Sequence, residues 1–282
     1  MDKLEDLQTP TWCPGCGNFG LWGAFKNAAL KKGWDNTNSV LVAGIGCHGN
    51  ILNFIRLTSF EGLHGRALPL ATGIKIANHR LNVFVFTGDG DCLGEGGNHF
   101  IHTCRRNHNL TVLLHNNAIY GLTTGQTTPT SPHSFKSKST PQGNPDWPIS
   151  PLGLAIASGA TFVARGYSGN LPKLTELIIQ ANEHQGLSVV EILQPCTTWN
   201  KEYTHPFFQE NTYFLGENHD TSSKEAAFDK SLQWGVKQIP LGIFYQVEAP
   251  TFESQLLQIA EKPLIESSPK GRDLSELLKK YT

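Results

Sequence analysis

Two short motifs in this chain place oxygen donors one supersecondary unit apart. Gly88-Asp89-Gly90-Asp91 closes one apolar run and Asn116-Asn117 closes the next, so Asp89 and Asn117 are 28 positions apart. A βαβ unit is about that long, and the tips of two neighbouring parallel strands can bring a carboxylate and a carboxamide oxygen to one point. Hard oxygen donors suit magnesium, which prefers near-octahedral oxygen coordination and completes it with substrate phosphates. Gly88 and Gly90 allow a tight turn, and the helix that follows offers free N–H groups to an anion. Residues 107–135 include no Asp, Glu, Lys or Arg, so metal and backbone must neutralise an anion held there. Either motif alone reads as a strand-end turn, because Asp, Asn and Gly favour turns. The pair at this spacing, followed by Tyr120-Gly121 and Thr123-Thr124-Gly125-Gln126, reads as a metal and diphosphate site.

Six cysteines offer a second chemistry. Cys13-Pro14-Gly15-Cys16 is a CxxC in a rigid turn just before a helix, which by itself fits a zinc half-site or a redox pair. No second CxxC follows, and Cys47, Cys92, Cys104 and Cys196 stand singly. Cys92 and Cys104 fall in or beside the helix after GDGD and are expected to pack as small apolar residues. Four cysteines remain, a number suited to a [4Fe–4S] cluster. The cytosol keeps thiols reduced, so metal or catalysis explains them better than disulfides.

Positioning these groups requires strands with ligating ends. Short β-branched runs at 39–44, 81–86, 110–115, 160–164 and 187–193 are expected strands, and 19–32, 67–80, 93–107 and 172–185 have helical character. Alternation of the two implies an α/β fold with a mostly parallel sheet covered by helices on both faces. Ligands in such sheets bind beyond the carboxyl ends of the strands, where GIGCHGN, TGDGD, NNAIYGLTTGQ and the Gln194–Cys196 segment fall. The alternation fades after about Asn200, so residues 1–200 are read as the chemistry-bearing domain. Residues 201–282 are read as a C-terminal extension that wraps a neighbour or covers the cluster, ending in a charged helix at 273–281.

Composition narrows the classes. The 282 residues suffice for one large domain or a domain with an appendage. A net charge of −1 and a pI near 6.8 give no field that would attract nucleic acid or an anionic membrane. Residues 147–164 lack charge, but Pro148, Pro151, Gly153, Ser158 and Gly159 break them too much for a bilayer span, so they are read as buried. The start, with Asp2, Glu5 and Asp6, lacks the layout of a secretory signal, and a cytoplasmic protein is expected. Only 17% of residues are charged; a large core explains this, and so does a permanent partner subunit.

GDG followed by NN resembles the signature of thiamine-diphosphate enzymes. The ordered set WCPGCG, GIGC, LHGRALPLATG, GDGD, NNAIYGLTTGQTTPT and LQPCTTWN, spanning 9–200, is similar to the β subunit of the 2-oxoacid:ferredoxin oxidoreductases. The resemblance implies magnesium on the side chains of Asp89 and Asn117 and the carbonyl of Ile119. It implies a thiamine diphosphate pocket formed by Gly46, His64, Gly88, Asp89, Gly90, Asp91, Asn117, Ile119, Tyr120, Gly121, Leu122 and Thr123. It also implies that Cys13, Cys16, Cys47 and Cys196 ligate the [4Fe–4S] cluster. His64 reads equally well as an ordinary hydrogen-bonded histidine. The implied activity is oxidative decarboxylation of a 2-oxo acid, with coenzyme A taking the acyl group and electrons passing through the cluster to ferredoxin. The glutamate that activates thiamine is not identifiable in this chain, and the resemblance puts it on a separate α subunit. Thr124 stands where many relatives have lysine and His48 where they more often have a small residue, so pyruvate and 2-oxoglutarate both remain open as substrates. A non-redox thiamine decarboxylase or ligase would leave the four cysteines idle, and a cluster-binding scaffold would leave the metal site unused.

Overall fold

The computed structural model describes residues 4, 8–267 and 273–281; Asp2, Glu5 and Asp6 lie outside the described residues. The five expected strands form as β1 (Ser39–Ala43), β3 (Asn82–Gly88), β4 (Thr111–Asn116), β5 (Phe162–Tyr167) and β6 (Ser188–Leu193). Three more join them, β2 (Ser59–Glu61), β7 (Thr212–Phe214) and β8 (Ile239–Gln246). The sheet order is β2-β1-β3-β4-β6-β5-β8-β7, parallel except where β8 meets β5.

Each inner strand is apolar at successive positions because both faces are covered. Leu41, Ala43, Phe84, Phe86 and Leu113 point to one side, where they pack with Leu21 and Phe25 of α1 (Asn18–Lys32) and Leu174 and Ile178 of α5 (Leu171–Glu183). Val40, Val42, Val83, Val85 and Val112 point to the other. They meet α2 (Ala67–Ala77), α3 (Gly97–Arg106), α4 (Pro151–Ser158) and α7 (Lys224–Ser231). The strand ends carrying GDGD and NN are adjacent in register, Gly88 beside His115.

Several expectations change. The helix expected at 93–107 is broken: a π-helical turn, Gly90–Glu95, precedes α3. The Tyr120 ring lies where Cβ atoms at Gly90 and Gly94 would be, so the turn takes its path around that ring. The extension supplies part of the sheet itself. Its strand β8 carries Pro240 and Gly242, which argue against a central strand in sequence. Pro240 is tolerated because the ladder to β5 runs only from Gly242 to Gln246, while Pro240 pairs with β7. A third cluster packs α6 (His205–Asn211) through Phe208 onto Tyr167, Leu193, Ile239 and Leu241. Trp147, placed by sequence in a buried stretch, is 78% exposed and stacks on His133 at 4.4 Å, since it sits on a loop before α4. The charged helix expected at 273–281 shortens to α8 (Ser275–Leu278).

Lys75 on α2 is 3% exposed and donates to the Leu81 carbonyl at 2.7 Å. Burial pushes its ammonium down to about 8, against the pull of Glu253. The folded chain thus holds fewer protons there than the unfolded chain between about 8 and 10.5, so stability gains as pH rises through that window. The stability difference between wild type and Lys75→Met is expected to move toward the wild type over this range, by up to about 3 kcal/mol at 1.36 kcal/mol per unit. Urea unfolding across the window measures it, and a difference independent of pH would contradict it.

Candidate functional site

Asp91, 2% exposed, ties together the loops at the strand ends. Its Oδ1 accepts from the Ile45 N–H at 3.1 Å, the Gly65 N–H at 2.8 Å and faces His64 Nδ1 at 2.8 Å. Its Oδ2 accepts from the Thr87 hydroxyl at 2.6 Å. One carboxylate therefore fixes the loops after β1, before α2 and after β3. Asp91 lines the cavity described next, yet each of its oxygens is engaged within the chain.

The loops enclose a cavity of about 100 Å³. All twelve residues expected around thiamine diphosphate line it, from Gly46 and His64 through Gly88–Asp91 to Asn117 and 119–123. No Lys or Arg lines it among the described residues. Asp89 is 2% exposed, and its Oδ2 accepts from Thr128 Oγ1 at 2.5 Å and Thr130 Oγ1 at 2.6 Å. Burial nevertheless pushes this carboxyl up to about 6, because the hydroxyls only partly replace water. A buried carboxylate of this kind fits a site for a divalent cation. The NN pair divides its tasks: Asn116 turns away into a buried network, whereas Asn117 and Ile119 reach the cavity. The Ile119 N–H closes onto Asn117 Oδ1 at 3.0 Å.

His48 and His115 stand on the cavity wall with ring centroids 5.2 Å apart. Burial pushes His48 down to about 4 and His115 well below the ordinary histidine value. His115 Nδ1 faces Asn18 Oδ1 at 2.9 Å. Sequence reasoning missed His115, Gln194, Thr128 and Thr130. The TTPT segment carries only a family resemblance, and no spacing rule brings it back to Asp89.

The cysteines converge beside the same wall. A Cβ added to Gly121 would lie 3.4 Å from Cys196 Sγ and 3.9 Å from Cys47 Sγ. The CxxC loop turns through Gly15 at φ 75°, which favours glycine, and the Cys16 N–H bonds the Cys13 carbonyl at 3.0 Å. The Trp12 indole donates to the Cys47 carbonyl at 2.6 Å. Thr197 Oγ1 donates to the Pro14 carbonyl at 3.0 Å and His205 Nε2 faces the Gly15 carbonyl at 2.9 Å, so the extension pins the loop. Burial pushes Cys16 up to about 12 and raises Cys47, and the neighbouring cysteines push both the same way. Thiolates there need a cationic centre. Among the described residues no three His, Cys, Asp or Glu side chains close around a single ion. The donor set fits a cluster that gives each cysteine its own iron better than one zinc at about 2.3 Å. Cys92 and Cys104 are buried in the core beneath α3, and burial raises both thiols.

The family model for the thiamine pyrophosphate enzyme C-terminal TPP-binding domain matches residues 44–192. The model for the C-terminal region of the pyruvate ferredoxin oxidoreductase beta subunit matches 196–261. The 2-oxoacid:ferredoxin oxidoreductase subunit beta of Saccharolobus solfataricus is 44% identical over 96% of this chain and 92% of its own length. The 2-oxoglutarate synthase subunit KorB of Methanocaldococcus jannaschii is 35% identical over 93% of this chain and 95% of its own. The solved 2-oxoglutarate:ferredoxin oxidoreductase of Magnetococcus marinus, with 2-oxoglutarate, coenzyme A and succinyl-CoA bound, superposes with a TM-score of 0.91. It is 36% identical, across 99% of this chain and 94% of that one.

The Asp91 geometry has a direct consequence. Asp91→Ala would leave four donors without an acceptor, at about 1–3 kcal/mol each. A loss of at least about 3 kcal/mol in unfolding free energy is expected by urea titration, and a change below about 1 kcal/mol would contradict the anchoring role.

Proposed function

The chain belongs to the β subunits of the 2-oxoacid:ferredoxin oxidoreductases, and from that premise we propose how its residues serve the reaction. Asp89, Asn117 and the Ile119 carbonyl hold magnesium, which carries the diphosphate of thiamine into the cavity. Cys13, Cys16, Cys47 and Cys196 hold one [4Fe–4S] cluster. With an α subunit, the chain carries out CoA-dependent oxidative decarboxylation of a 2-oxo acid, pyruvate or 2-oxoglutarate, and passes the electrons to ferredoxin. The observation that carries this reading is the buried Asp89 carboxyl in a cavity whose wall continues into the cysteine loop.

Bound thiamine diphosphate supplies the electron sink for the pair released as carbon dioxide leaves. The protein's part is placement. Asp89 contributes the negative oxygen that the dication needs, and Asn117 a neutral one. Gly90 lets the Tyr120 ring close over the turn. The burial of Asp89 would strengthen its hold on the metal. Gln194 spans the two centres: its Oε1 accepts from Asn117 Nδ2 at 3.1 Å and its Nε2 donates to Cys16 Sγ at 3.3 Å. Gln194 would thus tie a residue proposed to hold the metal to one proposed to hold the cluster.

A second chain completes the site. The cavity is smaller than the roughly 300–1,000 Å³ of a pocket that encloses a ligand. Its carboxylates among the described residues are Asp89 and Asp91, and no glutamate lines it. This supports an activating glutamate supplied by the α subunit.

Two outcomes are expected. Asp89→Asn, in the αβ complex, should lower thiamine diphosphate affinity by more than the roughly 100-fold upper range for an outer-shell change while keeping its iron, and Cys47→Ala should do the reverse. Cofactor and iron assays on the same samples check this, and normal thiamine affinity in Asp89→Asn would contradict it. The chain alone should show no 2-oxo-acid-dependent reduction of a viologen dye, and co-expression with the α subunit should restore it. Full activity from the single chain would contradict the shared site.

A further inference from the structure

Arg165 on β5 and Glu191 on β6 stand in register in the middle of the sheet, 1% and 0% exposed. Removing two charges from water costs several kcal/mol per ion, and a well-packed apolar pair is often as stable. The fold alone therefore gives little reason for this pair. Each oxygen of Glu191 has its own donor: Arg165 Nε reaches Oε2 at 2.7 Å, and Asn116 Nδ2 reaches Oε1 at 2.6 Å. Leu114 is the residue of β4 in register with Glu191, so Asn116, two positions on, shares that face.

An amide that gives its N–H to Glu191 presents its oxygen to Thr130 and Ala118. Asn116 Oδ1 lies 2.9 Å from Thr130 Oγ1 and accepts from the Ala118 N–H at 3.2 Å. Thr130 is one of the two hydroxyls on Asp89. Ala118 sits at φ 54°, where a residue with a Cβ is rare, and it sets the turn from which Asn117 and Ile119 enter the cavity. The Asn117 and Ile119 side of the metal site thus depends on which way the Asn116 amide points.

We propose that Glu191, held by Arg165, is a positioning residue for magnesium: it orients Asn116, whose Oδ1 takes the Ala118 N–H and so holds the turn from which Asn117 and Ile119 enter the cavity. The proposal rests on the reading of Asn117 and Ile119, with Asp89, as magnesium ligands.

The test is the magnesium concentration needed for half-maximal thiamine diphosphate binding to the αβ complex by calorimetry, with iron content and thermal midpoint on the same samples. Glu191→Gln keeps the size but offers one acceptor where Arg165 and Asn116 each need one. The pair Arg165→Met with Glu191→Leu removes both charges together. Each is expected to raise the magnesium requirement about 10–100-fold, the range for an outer-shell partner, with iron and binding at saturating magnesium unchanged. The paired variant should also keep its thermal midpoint, which decides the matter should Glu191→Gln fold poorly. A wild-type magnesium requirement in a folded variant overturns the proposal, as does a rise that only accompanies loss of iron and thermal midpoint. Asp89→Asn run alongside separates two failures. If it binds the cofactor normally, the metal site itself is misread. If it loses the cofactor while the Glu191 variants keep the wild-type requirement, only the positioning role fails.

Discussion

The carboxylate of Asp91 is the constraint on which this site depends. Four donors from three segments meet on it, and it ties the loops after β1 and before α2 to Thr87 at the end of β3. The chain comes closest at Gly44, where a side chain would overlap the carboxylate, so the loop after β1 can approach only because that residue has none. With that loop in place, Cys47 reaches the wall that Cys196 and the CxxC turn complete. The second acid of GDGD thus builds the site that the first acid serves.

On the proposed reading, two centres with opposite demands share one edge of the sheet. The diphosphate site needs a cation held by hard oxygen donors, and the cysteine site needs soft donors around iron. The sheet meets both by separating them along its strand tips. Oxygen donors come from the ends of β3 and β4, and sulfur donors from the ends of β1 and β6 and from the turn before α1. Gln194, at the end of β6, faces both. Burial raises both the Asp89 carboxyl and the Cys16 thiol. Both groups are poised for partners that bring positive charge.

Much of this was legible in the sequence, for a physical reason. Parallel strands buried on both faces read as short β-branched runs, and their ends read as Gly, Asp, Asn and Cys. What escaped was carried by residues that contradict a local pattern. Glu191 hides as a charge within an apolar strand, and nothing nearby announces Asn116 as its partner. Thr128 and Thr130 return to Asp89 from a loop without periodicity. Strand β8 carries Pro240 and Gly242, and its place between β5 and β7 is decided by pairing across the extension. Asp91 lines the cavity as expected, but spacing could not reveal that its carboxylate also holds the surrounding loops.

The central claim is that one strand-end edge holds a divalent cation on Asp89 and an iron–sulfur cluster on the four cysteines. It is tested most directly by diffraction from anaerobically grown crystals of the αβ complex with thiamine diphosphate and manganese in place of magnesium, with data collected at the iron and manganese absorption edges. An iron peak is expected among the sulfurs of Cys13, Cys16, Cys47 and Cys196, with a separate manganese peak against Asp89, Asn117 and the Ile119 carbonyl. Iron elsewhere, or manganese bound away from Asp89, would contradict it.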